Sequence, residues 1–403
     1  MPYFLTSTLL FLLGLGVIVW VHSQHHMDIV VTPAEPPADA PLISICVPAR
    51  DEEKNIRRCV ESLLAQTYPN FEIIVLDDRS TDSTPAILEE LRKADTCTEP
   101  QVRCYQSAPR LKVIHGSDLP SGWAGKPHAL YQASAAARGA PGAWLCFVDA
   151  DTFSAPEAIA ACYVKALETK ADLFTIMTFQ ELGTFWERTL MPIVLTAMSV
   201  GFSPRKVNDP NERVAVANGQ FILIKRAVYD AVGGHEKVKE QIVEDKALAE
   251  QVKWNGYRLV IAAGHAVART RMYTSLPQMW EGWTKNIYLG LRDHPSMLLL
   301  GAFGATLALI AALFLPVWPL LGFFWYLNDG GMLAVGVIAK SLIVWAALLW
   351  ARANVSRGLG ISRLYALTVP LGAGLFATIM LTSAWKILSG QGVSWRGRVY
   401  HPQ

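Results

Sequence analysis

The chain has 403 residues and a net charge of +2, with 52% hydrophobic and only 17% charged residues. That balance is too apolar for an ordinary soluble protein, and without a basic stripe it gives no reason to expect nucleic acid as a partner. The length allows two domains, or one domain plus membrane segments.

The apolar excess is local. Residues 3–21 are apolar and uncharged, long enough for a bilayer that needs ~20 residues. A signal peptide is the rival, but no basic n-region precedes the stretch and no small-x-small site follows soon after. Residues 1–22 therefore read as an N-terminal transmembrane anchor. His22, His25 and His26 read as a solvated patch beside it rather than as a metal site. Residues 23–41, with Pro33, Pro36, Pro37 and Pro41, read as a linker.

From residue 43 to about 271, short apolar runs alternate with helical patterns. Strands are expected over 43–47, 71–76, 111–114, 144–148, 173–179, 220–224 and 258–262. Helices are expected over 55–65, 83–93, 126–138, 156–168 and 243–254. This alternation predicts βαβ units and a mostly parallel sheet. Cysteines 46, 59, 97, 104, 146 and 162 have no CxxC spacing. They suit a reduced compartment, and four of them read as small core residues.

Two segments mix apolar groups with charge. Residues 185–200 fit core packing or a membrane surface equally well. Residues 277–292, with Trp280, Trp283, Tyr288, Lys285 and Arg292, fit an amphipathic helix at the headgroup level. Three apolar blocks follow, over 297–326, 332–350 and 364–388. The loop between the last two carries Arg352, Arg357 and Arg363 and no acid, so the positive-inside rule makes it cytoplasmic. Two crossings back, the large central region is cytoplasmic too. Three full crossings would put Lys386, Arg396 and Arg398 outside, against that rule, unless 297–326 is not one crossing.

The candidate chemistry lies at strand ends, where open α/β sheets bind ligands. The first expected strand runs into Pro48-Ala49-Arg50-Asp51-Glu52, where backbone and a carboxylate could hold a base or ribose. The second ends in Asp77-Asp78, suited to accept hydrogen bonds from a nucleotide, with Asp82 or Ser80 as helix N-cap. Capping alone is the competing explanation there. Trp144–Val148 leads into Asp149-Ala150-Asp151, two acids one residue apart. Such a pair suits Mg2+ or Mn2+ that also holds phosphate oxygens. Glu244-Asp245 opens an expected helix, where the dipole alone would favour an acid. Functionally, one of the two would take a proton from an acceptor hydroxyl. Between these clusters, Gly122 and Gly125-Lys126 precede a helix, an arrangement that lets backbone and a cation approach phosphate.

The order VPARDEE, DDRSTD, PSGWAGK, DAD and VEDKALA, followed by a Trp-rich segment and apolar spans, resembles family 2 glycosyltransferases of the GT-A fold. More narrowly it resembles the membrane-bound branch with hopanoid-associated, carotenoid and ceramide glycosyltransferases. The terminal Trp395-Arg396-Gly397-Arg398-Val399-Tyr400 looks like the hopanoid-associated group. The resemblance implies a Rossmann-like α/β catalytic domain over 42–275. An interfacial segment over 276–295, about three C-terminal transmembrane helices over 296–390 and a tail over 391–403 complete the expected layout. It implies an inverting, metal-dependent transfer from a UDP- or GDP-hexose to a lipid hydroxyl, in the inner or plasma membrane with the catalytic domain cytoplasmic. It assigns Pro48, Arg50, Glu52, Asp77, Asp78, Gly125, Lys126, Asp149 and Arg271 to the donor, Asp149 and Asp151 to Mg2+ or Mn2+, and Asp245 to the base. Glu244 is the lesser base candidate. Gln278, Trp280, Trp283 and Lys285 are placed at the acceptor side. The QxxRW motif is altered here: Glu281 stands where Arg belongs, Trp283 comes one residue late, and Lys285 is a candidate replacement cation. That change disfavours a processive polysaccharide synthase, the main alternative. A catalytically silent scaffold is the other.

Overall fold

In the computed structural model, the described residues are 12, 14–16, 18, 19, 21, 27–95, 110–140, 142–291, 295–314, 317–329, 331–395 and 398–400. They form two compact units, one of residues 27–181 and 204–272, the other of residues 1–26, 182–203 and 273–403.

The first unit is an α/β domain. Its strands are β1 (Ile43–Ala49), β2 (Phe71–Asp77), β3 (Leu111–His115), β4 (Trp144–Val148), β5 (Thr152–Ser154), β6 (Leu173–Met177), β7 (Phe179–Gln180), β8 (Phe221–Lys225), β9 (Leu259–Ala263) and β10 (Ala268–Thr270). Seven of them form one sheet in the order β3-β2-β1-β4-β8-β6-β9. Every pairing in it is parallel except those of β8, which runs against β4 and β6. The sequence periodicity explains why both faces are buried. Ile43, Ile45, Val47, Ile73, Val75, Cys146, Phe174, Leu223 and Val260 enter one core, while Cys46, Ile74, Leu76, Leu145, Phe147, Leu173, Ile222, Ile224 and Ile261 enter the other. Successive side chains on a strand point to opposite faces. A run such as Phe71–Asp77 is therefore apolar nearly throughout because helices cover both sides. Helices Ile56–Leu64, Thr84–Ala94 and Ala158–Glu168 supply the first core, and Gly125–Ala135 and Glu244–Trp254 the second.

Each strand expected from sequence is present in this sheet. The run expected over 173–179 is split, because β7 leaves to pair with β10 in a small sheet ordered β5-β10-β7. The expected linker is also partly structured. Val30 bridges Ala263, and Val31 is fully buried, its N–H donating to the Ala263 carbonyl at 2.8 Å.

The second unit is helical. Helix Phe185–Gly201 opens with a capping box, in which Thr184 and Glu187 satisfy each other's backbone N–H groups. Its first half is buried: Gly372 of helix Val369–Leu388 packs so closely that a Cβ there would lie 2.6 Å from the Thr189 carbonyl. Core packing thus accounts for the first half of the segment 185–200, while residues 195–200 are only half-buried. The apolar block over 297–326 is two helices, Pro295–Phe314 and Trp318–Asp329. Pro319 sits in the first turn of the second, where its missing N–H costs nothing. Among the described residues, Met332–Gly358 and Arg363–Leu388 are long and apolar enough to cross a membrane, and only 11% and 22% of their apolar windows are buried within the protein. Ser296–Ile310 is a shorter apolar helix. Of the expected anchor over 1–22, residues 12, 14–16, 18, 19 and 21 are helical and the rest lie outside the described residues, as do His22, His25, His26, Cys97, Cys104, Arg292 and Arg396. Val393–Trp395 and Arg398–Tyr400 pair as a short antiparallel hairpin.

Candidate active site

The register brings the carboxyl ends of the central strands together. Ala49 lies beside Asp77, and Asp77 beside His115. Asp77 and Asp78 are 3% and 6% exposed, a burial that carboxylates tolerate only when bonded. Asp77 accepts the Ser80 N–H at 3.1 Å, and its other oxygen is 3.5 Å from His115 Nδ1. Arg50 donates to the Asp78 carbonyl at 3.2 Å and lies 3.5 Å from its carboxylate.

The loops after β1 and β2 interlock. Asp51 N–H donates to Ser80 Oγ at 3.0 Å, while Asp51 Oδ1 accepts the Thr81 N–H at 2.8 Å. The Glu52 N–H donates to Thr84 Oγ1 at 2.8 Å and Glu53 N–H to Asp82 at 3.0 Å. Glu52 is itself buried, its carboxylate accepting from Asn55 at 2.9 Å. Asp51 and Arg79 adopt left-handed φ values of 52° and 60°, a strain that these reciprocal bonds hold in place. Neither Ser80 nor Asp82 is the N-cap of the next helix: that position is Ser83, and Asp82 serves one residue earlier by accepting the Thr84 N–H at 2.9 Å.

The second cluster centres on Lys126. Its ammonium lies 2.7 Å from Asp149 Oδ1 and 2.8 Å from Glu244 Oε1. Gly125–Ala135 carries the lysine in its first turn, β4 leads directly to Asp149, and Glu244–Trp254 presents Glu244 and Asp245 in its first turn. Asp245 accepts the Gly219 N–H at 2.9 Å and the Lys246 N–H at 2.7 Å. Gly219 stands in the turn that enters β8, and a Cβ there would lie 3.1 Å from Asp245 Oδ2 and 3.2 Å from Lys126 Nζ. Only a residue without a side chain leaves this approach open.

Burial raises the pKa of both Glu244 and Asp245, against the lowering effect of the Lys126 charge. Asp245 also has its anion favoured by its two backbone N–H bonds. For Lys126, burial disfavours the ammonium, but the charges of Asp149, Glu244 and Asp245 outweigh it and hold the amine protonated well above the usual lysine range. Glu244 and Asp245 titrate together as a pair. A carboxylate with a raised pKa that is not fully enclosed is suited to proton transfer.

Two buried polar arrangements support the cluster, and neither was foreseen from sequence. Gln220 Oε1 accepts from Thr178 and, at 3.0 Å, from Gln180, while Asn218 donates to the Ile176 carbonyl at 2.9 Å. These bonds fix the turn that contains Gly219. The Tyr229 hydroxyl lies 2.9 Å from His235 Nδ1 and 3.0 Å from Ser134 Oγ. His235 is 1% exposed, and burial, followed by the Lys126 charge, lowers its pKa to about 3. The one available signal was the Asn218-Gly219 pair before an apolar run, a turn pattern.

Pro48 lies in β1, Gly125 is the first residue of its helix, and Arg271 directly follows β10. The acceptor-side candidates lie in helix Leu276–Leu291 of the other unit. Gln278 is exposed and accepts the N–H and hydroxyl of Thr274, both at 3.0 Å. Trp280 and Lys285 are half-buried. Trp283 differs from a headgroup-level residue: it is 6% exposed, its indole N–H directed at Met191 Sδ at 3.4 Å and its ring 6.2 Å from that of Tyr273. Gly282 on the same helix explains the packing, since a Cβ there would lie 2.3 Å from the Tyr273 hydroxyl.

Among the described residues, no group of three or more His, Cys, Asp or Glu could hold a metal by itself. Asp149 and Asp151 nevertheless fit Mg2+ or Mn2+, which take one or two carboxylates and complete their shell with phosphate and water oxygens. Asp149 keeps 26% of its side chain exposed for such contacts.

Residues 44–233 match the sequence profile of Glycosyl transferase family 2. The chain is 27% identical over 364 residues to the 4,4'-diaponeurosporenoate glycosyltransferase of Staphylococcus aureus strain MRSA252, covering 89% of this chain and 88% of that one. It is 26% identical over 363 residues to the enzyme of the same name from strain USA300, with the same coverage. Among solved structures it resembles the mannosyltransferase PcManGT of Pyrobaculum calidifontis in complex with GDP-Man and Mn2+. That likeness has a TM-score of 0.52 at 16% identity and covers 95% of this chain and 97% of the other. It shows the fold.

Proposed function

From the premise that this chain is a glycosyltransferase with a family 2 domain, we propose that it transfers a sugar from a nucleotide-diphosphate donor to a hydroxyl of a membrane lipid, with inversion. The observation that carries the reading is the meeting of Asp149, Glu244 and Asp245 around one ammonium, Lys126. A donor-side acid and an acceptor-side acid thereby lie at one point.

In this reading, Asp77, Asp78, Arg50 and Glu52 border the base and ribose of the donor. Asp245 takes the proton from the acceptor hydroxyl as its oxygen attacks the anomeric carbon. The Gly219 N–H orients that carboxylate, and Lys126 balances the negative charge that gathers as the diphosphate leaves. A divalent cation on Asp149 and Asp151 would neutralise charge on the departing diphosphate. Glu244, more buried than Asp245, tunes the shared titration.

A lipid acceptor is supported by the apolar surface of the C-terminal helices. Leu300 is 71% exposed and Met332 85%, and contiguous exposure of this kind marks a membrane-facing surface. It is also supported by the relatives, whose name places diaponeurosporenoate as what they glycosylate. We place the catalytic domain on the cytoplasmic side of the inner or plasma membrane because Arg352 and Arg357 at the end of helix Met332–Gly358, with Arg363 just beyond it, follow the positive-inside rule.

The test is Asp245→Asn in full-length protein. Transfer of labelled hexose from UDP- or GDP-hexose to an organic-extractable product is expected to fall by about 10²–10⁴-fold, while nucleotide binding by calorimetry stays near that of the wild type. Near-normal turnover would overturn the assignment of the base, and label appearing in a water-soluble polymer would overturn the lipid acceptor.

A further inference from the structure

Residues 296–403 contain a single acid, Asp329, against Lys340, Arg352, Arg357, Arg363, Lys386, Arg396 and Arg398. Asp329 precedes the start of helix Met332–Gly358 and Arg357 closes it. At 1.5 Å per residue the start of that helix and Arg357 stand ~38 Å apart along its axis, far beyond a Debye length. The cationic end of this helix has no acid of its own segment to balance it.

The cations are organised there. An open cleft of about 580 Å³ is lined by Trp350, Ala353, Asn354, Arg357 and Arg363. Residues 350, 353, 354 and 357 share one helical face, and Arg363 begins the next apolar segment just beyond the turn. Among the described residues, no acidic side chain lines the cleft. Trp350 is 59% exposed, and Leu364 and Leu367 beside Arg363 are 75% and 65% exposed. The cleft therefore combines an exposed indole with two exposed guanidinium groups. Arg352 shows that the positive charge here is not uniformly free: it is 5% exposed and donates to the Arg188 carbonyl at 2.7 Å. Arg357 and Arg363 are the two whose side chains stand exposed at the cleft.

We propose that this cleft is a binding site for the phosphate headgroup of an anionic phospholipid, held between Arg357 and Arg363, with Asn354 donating to a phosphate oxygen and Trp350 against the glycerol and upper acyl carbons. Guanidinium groups match phosphate geometry, and an indole belongs at the headgroup level. The site is separate from sugar transfer but rests on the proposed membrane placement of these helices.

The experiment uses the full chain in nanodiscs of phosphatidylcholine alone or with phosphatidylglycerol, with retained lipid read by native mass spectrometry. Wild type is expected to keep phosphatidylglycerol in preference to phosphatidylcholine. Arg357→Gln with Arg363→Gln is expected to weaken that preference on the order of thirtyfold, while Lys386→Gln, which removes the same kind of charge elsewhere, leaves it unchanged. Equal retention of both lipids by wild type would overturn the proposal, and so would an equal loss in Lys386→Gln. Displacement by millimolar inorganic phosphate would assign the site to a soluble anion instead and overturn the lipid. Alkaline carbonate extraction is run in parallel. Release of the wild-type chain into the soluble fraction would sink the membrane placement itself, independently of the arginine variants.

Discussion

The acids of the loops after β1 and β2 and the Lys126 cluster lie at the same end of one sheet, yet they use their carboxylates in different ways. Asp51 and Asp82 accept backbone N–H groups of the neighbouring loop, and Asp77 accepts one from its own loop. Asp149 and Glu244 bond to one side-chain ammonium, and Asp245 adds its charge to theirs. Backbone amides carry no net charge, so the first arrangement fixes shape. The second fixes a charge balance that shifts when a donor, a metal or a proton arrives. Shape is needed where a planar base must be recognised, and a movable balance is needed where charge develops during the reaction.

Removing Lys126 is the strongest way to break this contrast. Lys126→Gln leaves three acids without their cation and is expected to destabilise the fold by roughly 1–3 kcal/mol, less than a fully buried pair because the side chain is 37% exposed. Urea unfolding measures it. The same change removes the influence that lowers the Glu244 and Asp245 pKa values. An acid limb in kcat/KM arises because the base must be deprotonated, so activity falls as pH drops through its pKa. In Lys126→Gln that limb is expected to move to higher pH; a limb that stays put would argue that another group sets it.

A smaller effect is expected from Gly219→Ala. The added methyl meets Asp245 Oδ2 at 3.1 Å and Lys126 Nζ at 3.2 Å and displaces the carboxylate proposed as the base. A drop in kcat on the order of tenfold is expected with donor KM little changed, since misplacement of a reacting group costs rate. Steady-state kinetics that show KM rising and kcat constant would refute the positioning role.

The smallest change sharpens the other side. Thr84→Val leaves the buried Glu52 N–H without its 2.8 Å acceptor, at a cost of about 1–3 kcal/mol. Donor affinity is expected to weaken a few-fold, by titration calorimetry, while the acid limb of kcat/KM does not move. A shift of that limb would show that the two regions are electrostatically joined after all.

Much of this was legible before the fold was known, for identifiable reasons. Buried strands leave continuous apolar runs, so β1, β2, β4 and β8 are visible locally, and strand-end acids stand out against them. Lys126 was visible as a cation at a helix start, but its pairing with Asp149 and Glu244 joins residues far apart in the chain, which no local pattern records. The reversed direction of β8 was hidden for the same reason, because an apolar run reads alike in both directions. Trp283 was misplaced because an aromatic in an amphipathic segment serves a headgroup layer or a helix contact equally well; the neighbouring Gly282, pressed against Tyr273, decides for the contact.

The reversed strand has one more consequence. Because β8 enters the sheet where β4 leaves it, with Phe221 beside Val148, the amide that holds Asp245 belongs to the approach of a central strand and not to a surface lid. Its proton is shielded by the carboxylate and by the neighbouring bonds of Asn218 and Gln220. Deuterium is therefore expected to reach Gly219 on the timescale of opening the sheet, so that an isotope label at this one position reports how long the Asp245 carboxylate is held in place.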